Sequence, residues 1–297
     1  MLNTLKAYKS LEIQLVARQG ERMFIGDIER FLKEDLGYND ISCHLVPDEE
    51  SDAIIFAKED CVLAGISIAS SIFAYLGINA NAKFEDGSSI KKGNVIFDLN
   101  GSPVSILQAE RLVLNFLGHL SGIATVTRKC VNLVEKHSSV TRVACTRKTT
   151  PGIREHEKMA VIAGGGDSHR FNLSDSIMIK DNHVKMIGVE AAIASAKKKA
   201  SFTQKIEVEV ESLEDALLAA ENGADIIMLD NMAPGTIIGT VSSLRNASIS
   251  EHILIEASGG INENNLEDYA NTGVDVISMG SLIHSSSWID LSLEFLI

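Results

Sequence analysis

Six short apolar runs in the second half of this chain end in residues that can handle charge. Val140–Ala144 is followed by Thr146-Arg147-Lys148-Thr149, and Ser176–Ile179 by Lys180-Asp181-Asn182-His183. Asp225–Leu229 leads into Asp230-Asn231, Ile253–Ile255 into Glu256-Ala257-Ser258-Gly259-Gly260, and Val274–Ser278 into Met279-Gly280-Ser281. The remaining run, Ile206–Val210, carries its charge internally as Glu207-Val208-Glu209-Val210-Glu211. One polar strand end is ordinary; six of complementary types point to a site. Between residues 141 and 185, eight Lys and Arg stand against five acidic residues, within a chain of net charge -13. A cationic cluster inside an acidic protein predicts a small, highly anionic ligand. Lys158 and Lys185 read as solvated helix positions. Lys180 closes Ile177-Met178-Ile179 and reads as a site residue.

The carboxylates need a partner. Along an extended strand Glu207, Glu209 and Glu211 share one face, opposite Val208 and Val210. A parallel strand is covered on both sides, so these acids must sit near an interior, where an unpaired carboxylate is costly. Their partners are predicted to be Lys148 or Lys180, or a metal brought by the substrate, with Asp230 joining from the next strand. A cation pair facing a carboxylate pair suits a Mg²⁺-bearing polyphosphate. Ser258-Gly259-Gly260, ahead of a helix expected from about Glu263, and Met279-Gly280-Ser281 can both offer backbone N–H groups to a phosphate.

The elements that hold these residues alternate. The six strands are separated by helices expected at 154–163, 189–199, 212–222, 235–245 and 263–271. That alternation predicts an α/β barrel, short of eight strands by one or two, with an irregular strand near 120–140. An open doubly wound sheet is the alternative, but no G-x-G-x-x-G follows the first strand. Residues 22–122 are mixed: a helix over 26–34, a strand over 53–63, a helix over 66–76, hairpins at Asp86-Gly87 and Lys92-Gly93, and one or two long helices over 103–135. The expected organisation is a domain at 1–122, completed by the tail 286–297, and a barrel domain at 123–285.

Composition excludes several classes. With 45% hydrophobic residues the 297-residue chain has material for large cores. Its acidic balance argues against a nucleic-acid or membrane-surface partner. Cys43, Cys61, Cys130 and Cys145 form no C-x-x-C pair and read as free thiols of a reducing compartment. Met1–Glu21 reads as a short helix without the apolar core of a signal peptide, so the expected location is cytoplasmic. The uncharged stretch Cys61–Ala82 is broken by Gly65 and Gly77 and is too short in its helical part to span a bilayer.

The segment TRKTTPGIREHEKMAVIAGGGDSHRFNLSDSIMIKDNH (146–183) resembles the central signature of the quinolinate phosphoribosyltransferase family. EDLGYNDIS (34–42), ERLVLNFLGHLSGIAT (110–125), IEVEVESLEDA (206–216), IIMLDNM (226–232), EASGGINENN (256–265) and TGVDVISMGSLIHS (272–285) agree in order and spacing, so the resemblance covers nearly the whole chain. Asn39, Ser168 and Asn172 depart from the pattern without removing a charged residue. The resemblance implies a type II phosphoribosyltransferase-like fold: an N-terminal α/β sandwich domain plus an incomplete, seven-stranded α/β barrel, assembled as a homodimer. It implies transfer of a phosphoribosyl group from 5-phosphoribosyl 1-pyrophosphate to quinolinate with decarboxylation, in NAD biosynthesis. By resemblance Arg111 (from the partner subunit), Arg147, His169, Arg170 and Lys180 bind the quinolinate carboxylates. Lys148, Glu209 and Asp230 face the phosphoribosyl pyrophosphate and its Mg²⁺, with Glu209 and Asp230 toward the metal. Ser258, Gly259, Gly260, Gly280 and His284 hold the 5′-phosphate.

Three other readings stand beside it. The same fold acts on another heteroaromatic acid, as in relatives from molybdenum-transport gene clusters. A barrel aldolase uses Lys180 as a Schiff-base nucleophile. A non-catalytic subunit merely binds a metabolite.

Overall fold

The computed structural model describes residues 25–38, 40–46, 49–246 and 253–296. The expectations for Met1–Glu21 and Asn39, and the Cys43 side chain, lie outside the described residues. The chain divides into two compact units, residues 1–122 with 287–297, and residues 123–286.

In the first unit α1 (Ile25–Leu36), β1 (Ser51–Ala57), β2 (Cys61–Val62), α2 (Ile66–Tyr75), β3 (Asn79–Ala82), β4 (Ser89–Ile90) and β5 (Val95–Gly101) follow in order. One antiparallel sheet runs C-terminal strand (Leu291–Phe295), β1, β5, β3; β2 and β4 pair separately. The C-terminal strand lies in register against β1 from Ala53↔Phe295 to Ala57↔Leu291. Alternation in β1 buries Ala53, Ile55 and Ala57 on one face. Phe97 of β5 meets Phe73 of α2 edge-on at 5.5 Å between centroids.

Two local expectations change here. The strand expected over 53–63 is broken at Asp60, whose carboxylate accepts the Lys92 N–H at 2.9 Å and the Lys91 ammonium at 2.7 Å. The expected hairpins are instead crossings: β3 to β4 and β4 to β5 each pass between the two sheets.

Residues 103–135 form one helix, α3 (Pro103–Glu135), which leaves no place for the strand expected near 120–140. The second unit then runs β6 (Arg142–Ala144), α4 (Arg154–Ala163), β7 (Ile177–Ile179), α5 (Asp181–Ile187), α6 (Val189–Lys199), β8 (Ile206–Val210), α7 (Leu213–Glu221), β9 (Ile226–Asp230), α8 (Pro234–Asn246), β10 (Leu254–Ser258), α9 (Leu266–Ala270), β11 (Val276–Ser278) and α10 (Ser281–His284). Its sheet is parallel, in the order β6-β11-β10-β9-β8-β7. The first strand lies beside the last, as in a closed barrel, and the opening falls between β6 and β7.

The seventh strand of the expected barrel is reduced, among the described residues, to a single parallel bridge between Ala144 and Asp167. Asp167 N–H donates to Val143 O at 2.8 Å, and its carbonyl oxygen accepts the Cys145 N–H at 3.0 Å. The sequence explains why it goes no further. Gly164-Gly165-Gly166 has no side chains to pack as a strand. A Cβ on Gly164 would stand 2.6 Å from Ala124 O, and one on Gly166 2.7 Å from Thr127 Cγ2. The glycines let this loop press against α3.

Helix starts follow local chemistry. Ser212 caps α7 by accepting the Asp215 N–H at 3.1 Å, a contact worth about 1 kcal/mol. The helix expected from Glu263 begins only at Leu266, because Asn262 Oδ1 accepts Asn264 N–H and Asn265 Oδ1 accepts Asn262 N–H. These side chains compete with helical hydrogen bonding and hold a turn. The helix N-terminus expected near Glu263 therefore lies three residues further from Gly260. No helix among the described residues is long and apolar enough to cross a membrane.

Candidate active site

All six barrel strands deliver residues to one pocket of about 370 Å³ in the second unit. Thr146, Arg147 and Lys148 come from the segment after β6, and His169 and Arg170 from the Asp167 loop. Met178 and Lys180 come from β7, Glu209 from β8, Met228 and Asp230 from β9, Glu256 and Ser258 from β10, and Ser278 from β11. The strand ends thus converge, as in parallel barrels generally.

The Arg147-Lys148 segment is pinned from behind. Thr150 N–H donates to the buried Glu157 Oε2 at 2.8 Å, and Arg154 Nε donates to Thr149 Oγ1 at 3.0 Å. Glu157 and Arg154 both belong to α4, so the helix that follows the segment also fixes it. Lys180 sits where β7 passes into α5, and its backbone N–H donates to His183 Nδ1 at 3.0 Å. The helix α5, which no apolar periodicity marks in the sequence, accounts for the Lys180–His183 spacing. The Lys180 ammonium donates to Glu209 Oε2 at 2.6 Å.

The cations are crowded and only partly paired. Arg170 donates through its terminal nitrogens to Ser176 O at 3.2 Å and to Met178 Sδ at 3.1 Å. The Nε atoms of both Arg147 and Arg170 are buried without a hydrogen-bond partner. Burial, and then the Arg147 charge against the pull of Glu207, lowers the Arg170 pKa. The acids are also in tension. Burial first, and the Glu209 charge next, raises the Asp230 pKa.

Beneath the cations the expected partner of Glu207, Lys148 or Lys180, is replaced by His169, which faces Glu207 and Glu256 together. His169 Nε2 lies 3.3 Å from Glu256 Oε2 and 3.6 Å from Glu207 Oε1; Glu207 and Glu256 are 1% and 2% exposed. Burial works against the imidazolium, but Glu207 and Glu256 outweigh it and push the His169 pKa up to about 10. Burial raises the Glu207 pKa as well. Arg170 N–H donates to His169 Nδ1 at 2.8 Å, which leaves Nε2 facing the two carboxylates. The alternation that placed Glu207 on the face of Glu209 was the signal for it.

Of the residues expected from sequence, Arg147, Lys148, His169, Arg170, Lys180, Glu209, Asp230 and Ser258 line this pocket. Gly280 adjoins it: a Cβ there would stand 3.0 Å from Lys148 Cδ and 3.2 Å from His284 Nε2. Gly259 packs against Asn231, where a Cβ would stand 2.5 Å from the backbone nitrogen, and Gly260 is exposed beside it. Arg111 belongs to the first unit, where it is exposed on α3. Lys185 is solvated, paired with Asp181 at 2.7 Å. Lys158 is not: it is 0% exposed, which overturns its reading as a solvated helix position.

Fold and pocket define an incomplete α/β barrel whose mouth is lined by Arg147, Lys148, Arg170 and Lys180. Residues 40–121 match the N-terminal domain, and residues 123–294 the C-terminal domain, of quinolinate phosphoribosyl transferase. The chain belongs to the quinolinate phosphoribosyltransferase family. It is 42% identical over 270 residues, 90% of its length and 97% of the relative's, to the "Probable nicotinate-nucleotide pyrophosphorylase (carboxylating)" of Methanothermobacter thermautotrophicus. It is 37% identical to the human nicotinate-nucleotide pyrophosphorylase (carboxylating), covering 90% of each chain. A solved nicotinate-nucleotide pyrophosphorylase from Francisella tularensis superposes with a TM-score of 0.84 at 37% identity, over 91% of this chain and 94% of that one.

Proposed function

We propose that this protein is a carboxylating nicotinate-nucleotide pyrophosphorylase. It joins quinolinate to the ribose of 5-phosphoribosyl 1-pyrophosphate and releases pyrophosphate and CO₂, leaving nicotinate mononucleotide for NAD synthesis. The observation that carries the reading is the convergence of Arg147, Arg170 and Lys180 with Glu209 and Asp230 in one pocket. A planar aromatic dicarboxylate satisfies both guanidinium edges.

Arg147, Arg170, Lys180 and His169 hold the two carboxylates, with Arg111 supplied by the partner subunit of a homodimer. Lys148 meets the pyrophosphate; Ser258, Gly259, Gly260, Gly280 and His284 hold the 5′-phosphate. The pyridine nitrogen attacks the anomeric carbon as the bond to pyrophosphate breaks. The sugar passes through an oxocarbenium-like state, which Glu209 and Asp230 stabilise by their charge. The new N-glycosidic bond leaves the ring nitrogen cationic; when the adjacent carboxylate departs as CO₂, the electron pair of the broken bond stays on that ring carbon, held beside the cationic nitrogen, and takes up a proton from solvent to give nicotinate mononucleotide. No covalent bond to the protein is needed; the residues position the reactants and balance charge.

Glu209 and Asp230 suit a Mg²⁺ arriving with the pyrophosphate substrate, since the Glu209 charge already raises the Asp230 pKa and a cation between them removes that repulsion. When bound, the metal neutralises charge on the leaving pyrophosphate. The aldolase reading is set aside, because Lys180 is engaged as the cation of an ion pair with Glu209. A cytoplasmic location fits the metabolite substrates.

The test is an assay of purified protein with quinolinate, phosphoribosyl pyrophosphate and Mg²⁺. The expected result is CO₂ and pyrophosphate released one for one. Turnover of another heteroaromatic acid, with none of quinolinate, would assign the chain to the alternative substrate class.

A further inference from the structure

Lys158, on α4, is a buried cation with no carboxylate partner among the described residues. Its ammonium donates to the carbonyl oxygens of Ser168 and, at 2.9 Å, of Arg170; Cys145 Sγ lies 3.7 Å away. The Phe171 ring lies below the nitrogen, its centroid 5.4 Å off. The two carbonyls enclose His169 and Arg170, and the His169 φ of 51° is in the left-handed region. That conformation is uncommon for a non-glycine residue, though histidine tolerates it better than most.

The consequence is geometric. Successive side chains of an extended segment point to opposite sides. His169 and Arg170 are successive and both line the pocket. The left-handed turn at His169 takes this segment out of extended alternation, and Lys158 closes the turn from behind by drawing the Ser168 and Arg170 carbonyls toward a single charge. Asp167 Oδ1 completes the turn by accepting the His169 N–H at 2.8 Å. The same contacts turn two carbonyl dipoles toward Lys158, so that they do not oppose an anion in the pocket.

We propose that Lys158 is a positioning residue for the aromatic diacid: it crimps the chain at residues 168–170 so that His169 and Arg170 enter the pocket together. This assignment rests on the function proposed above. Lys158 touches neither substrate and acts through the loop it holds.

The experiment compares wild type with Lys158→Met, which removes the donors, and Lys158→Gln, whose amide keeps donors for both carbonyls. KM for quinolinate and KM for phosphoribosyl pyrophosphate are measured separately, with circular dichroism to report folding. The expected result for Lys158→Met is a rise of about 100-fold in KM for quinolinate, the scale of a misplaced binding group, with KM for phosphoribosyl pyrophosphate changed by less than about threefold and partial recovery in Lys158→Gln. Wild-type turnover with an unchanged quinolinate KM in both variants overturns the assignment of Lys158 alone. Equal loss toward both substrates, or loss of fold in both variants, makes Lys158 a general structural residue and overturns it too. A wild type that does not use quinolinate overturns the functional reading and this inference with it.

Discussion

Lys180 and Glu209 are joined at 2.6 Å across the ends of neighbouring strands. The contact links the two halves of the pocket, one cationic and one acidic. A diacid that takes Lys180 must share it with Glu209, so the acidic side of the site is coupled to occupancy of the basic side. Because the Lys180 side chain is about half exposed, the pair adds at most about 1 kcal/mol to stability. Its importance lies in the chemistry.

Glu209→Gln is therefore expected to leave the melting temperature nearly unchanged while lowering kcat by about 100-fold or more, the scale seen when a charge-stabilising group is removed from a transition state. Steady-state kinetics and a thermal melt on the same sample check both halves. A metabolite-binding subunit without chemistry would show neither.

The proton held among His169, Glu207 and Glu256 gives a pH dependence with a definite sign. The folded pKa of His169, about 10, lies above its ordinary 6.5. Its contribution to stability is fully present below about pH 6.5 and is lost as pH rises through about 10. His169→Asn keeps a residue type that tolerates the left-handed conformation. The stability difference between wild type and this variant is expected to shrink as denaturant melts move from pH 6.5 to pH 10.5.

The paired glycines after β10 are expected to respond unequally. Gly259 has φ 95° and no room for a Cβ beside Asn231, whereas Gly260 has φ 65° and open space. Gly259→Ala should cost about 1–3 kcal/mol and raise KM for phosphoribosyl pyrophosphate. Gly260→Ala should cost about 1 kcal/mol or less. Urea unfolding and kinetics separate the two.

Burial pushes the thiols of Cys61 and Cys145 up to about 11 and that of Cys130 up to about 12. In a Cys43→Ser background these three thiols are expected to resist a thiol reagent at pH 8 while the protein is folded, and to react together once urea unfolds it.

How much of this was legible in the sequence varied with the physics. Strand ends were legible because their residue types are chemical, and Arg147, Lys180, Glu209 and Asp230 needed only the barrel to bring them together. Lys158 was misread because helical spacing cannot show that a charged face meets two carbonyls rather than water. Glu207 shared the strand face of Glu209, yet its pairing with His169 joins residues 38 positions apart through a turn that no local pattern marks. The missing strand was sought near 120–140, but the gap lies at Gly164–Asp167, where glycines trade strand pairing for close packing on α3. The helix expected at Glu263 failed because Asn262 and Asn265 hydrogen-bond locally.

The central claim is that cations from three separate segments grip one aromatic diacid while two acids face the sugar. A crystal structure with quinolinate bound tests it most directly. The expected result is carboxylate oxygens about 3 Å from guanidinium nitrogens of Arg147 and Arg170, with the ring nitrogen turned toward Glu209 and Asp230. Quinolinate bound elsewhere, touching neither guanidinium, would contradict it.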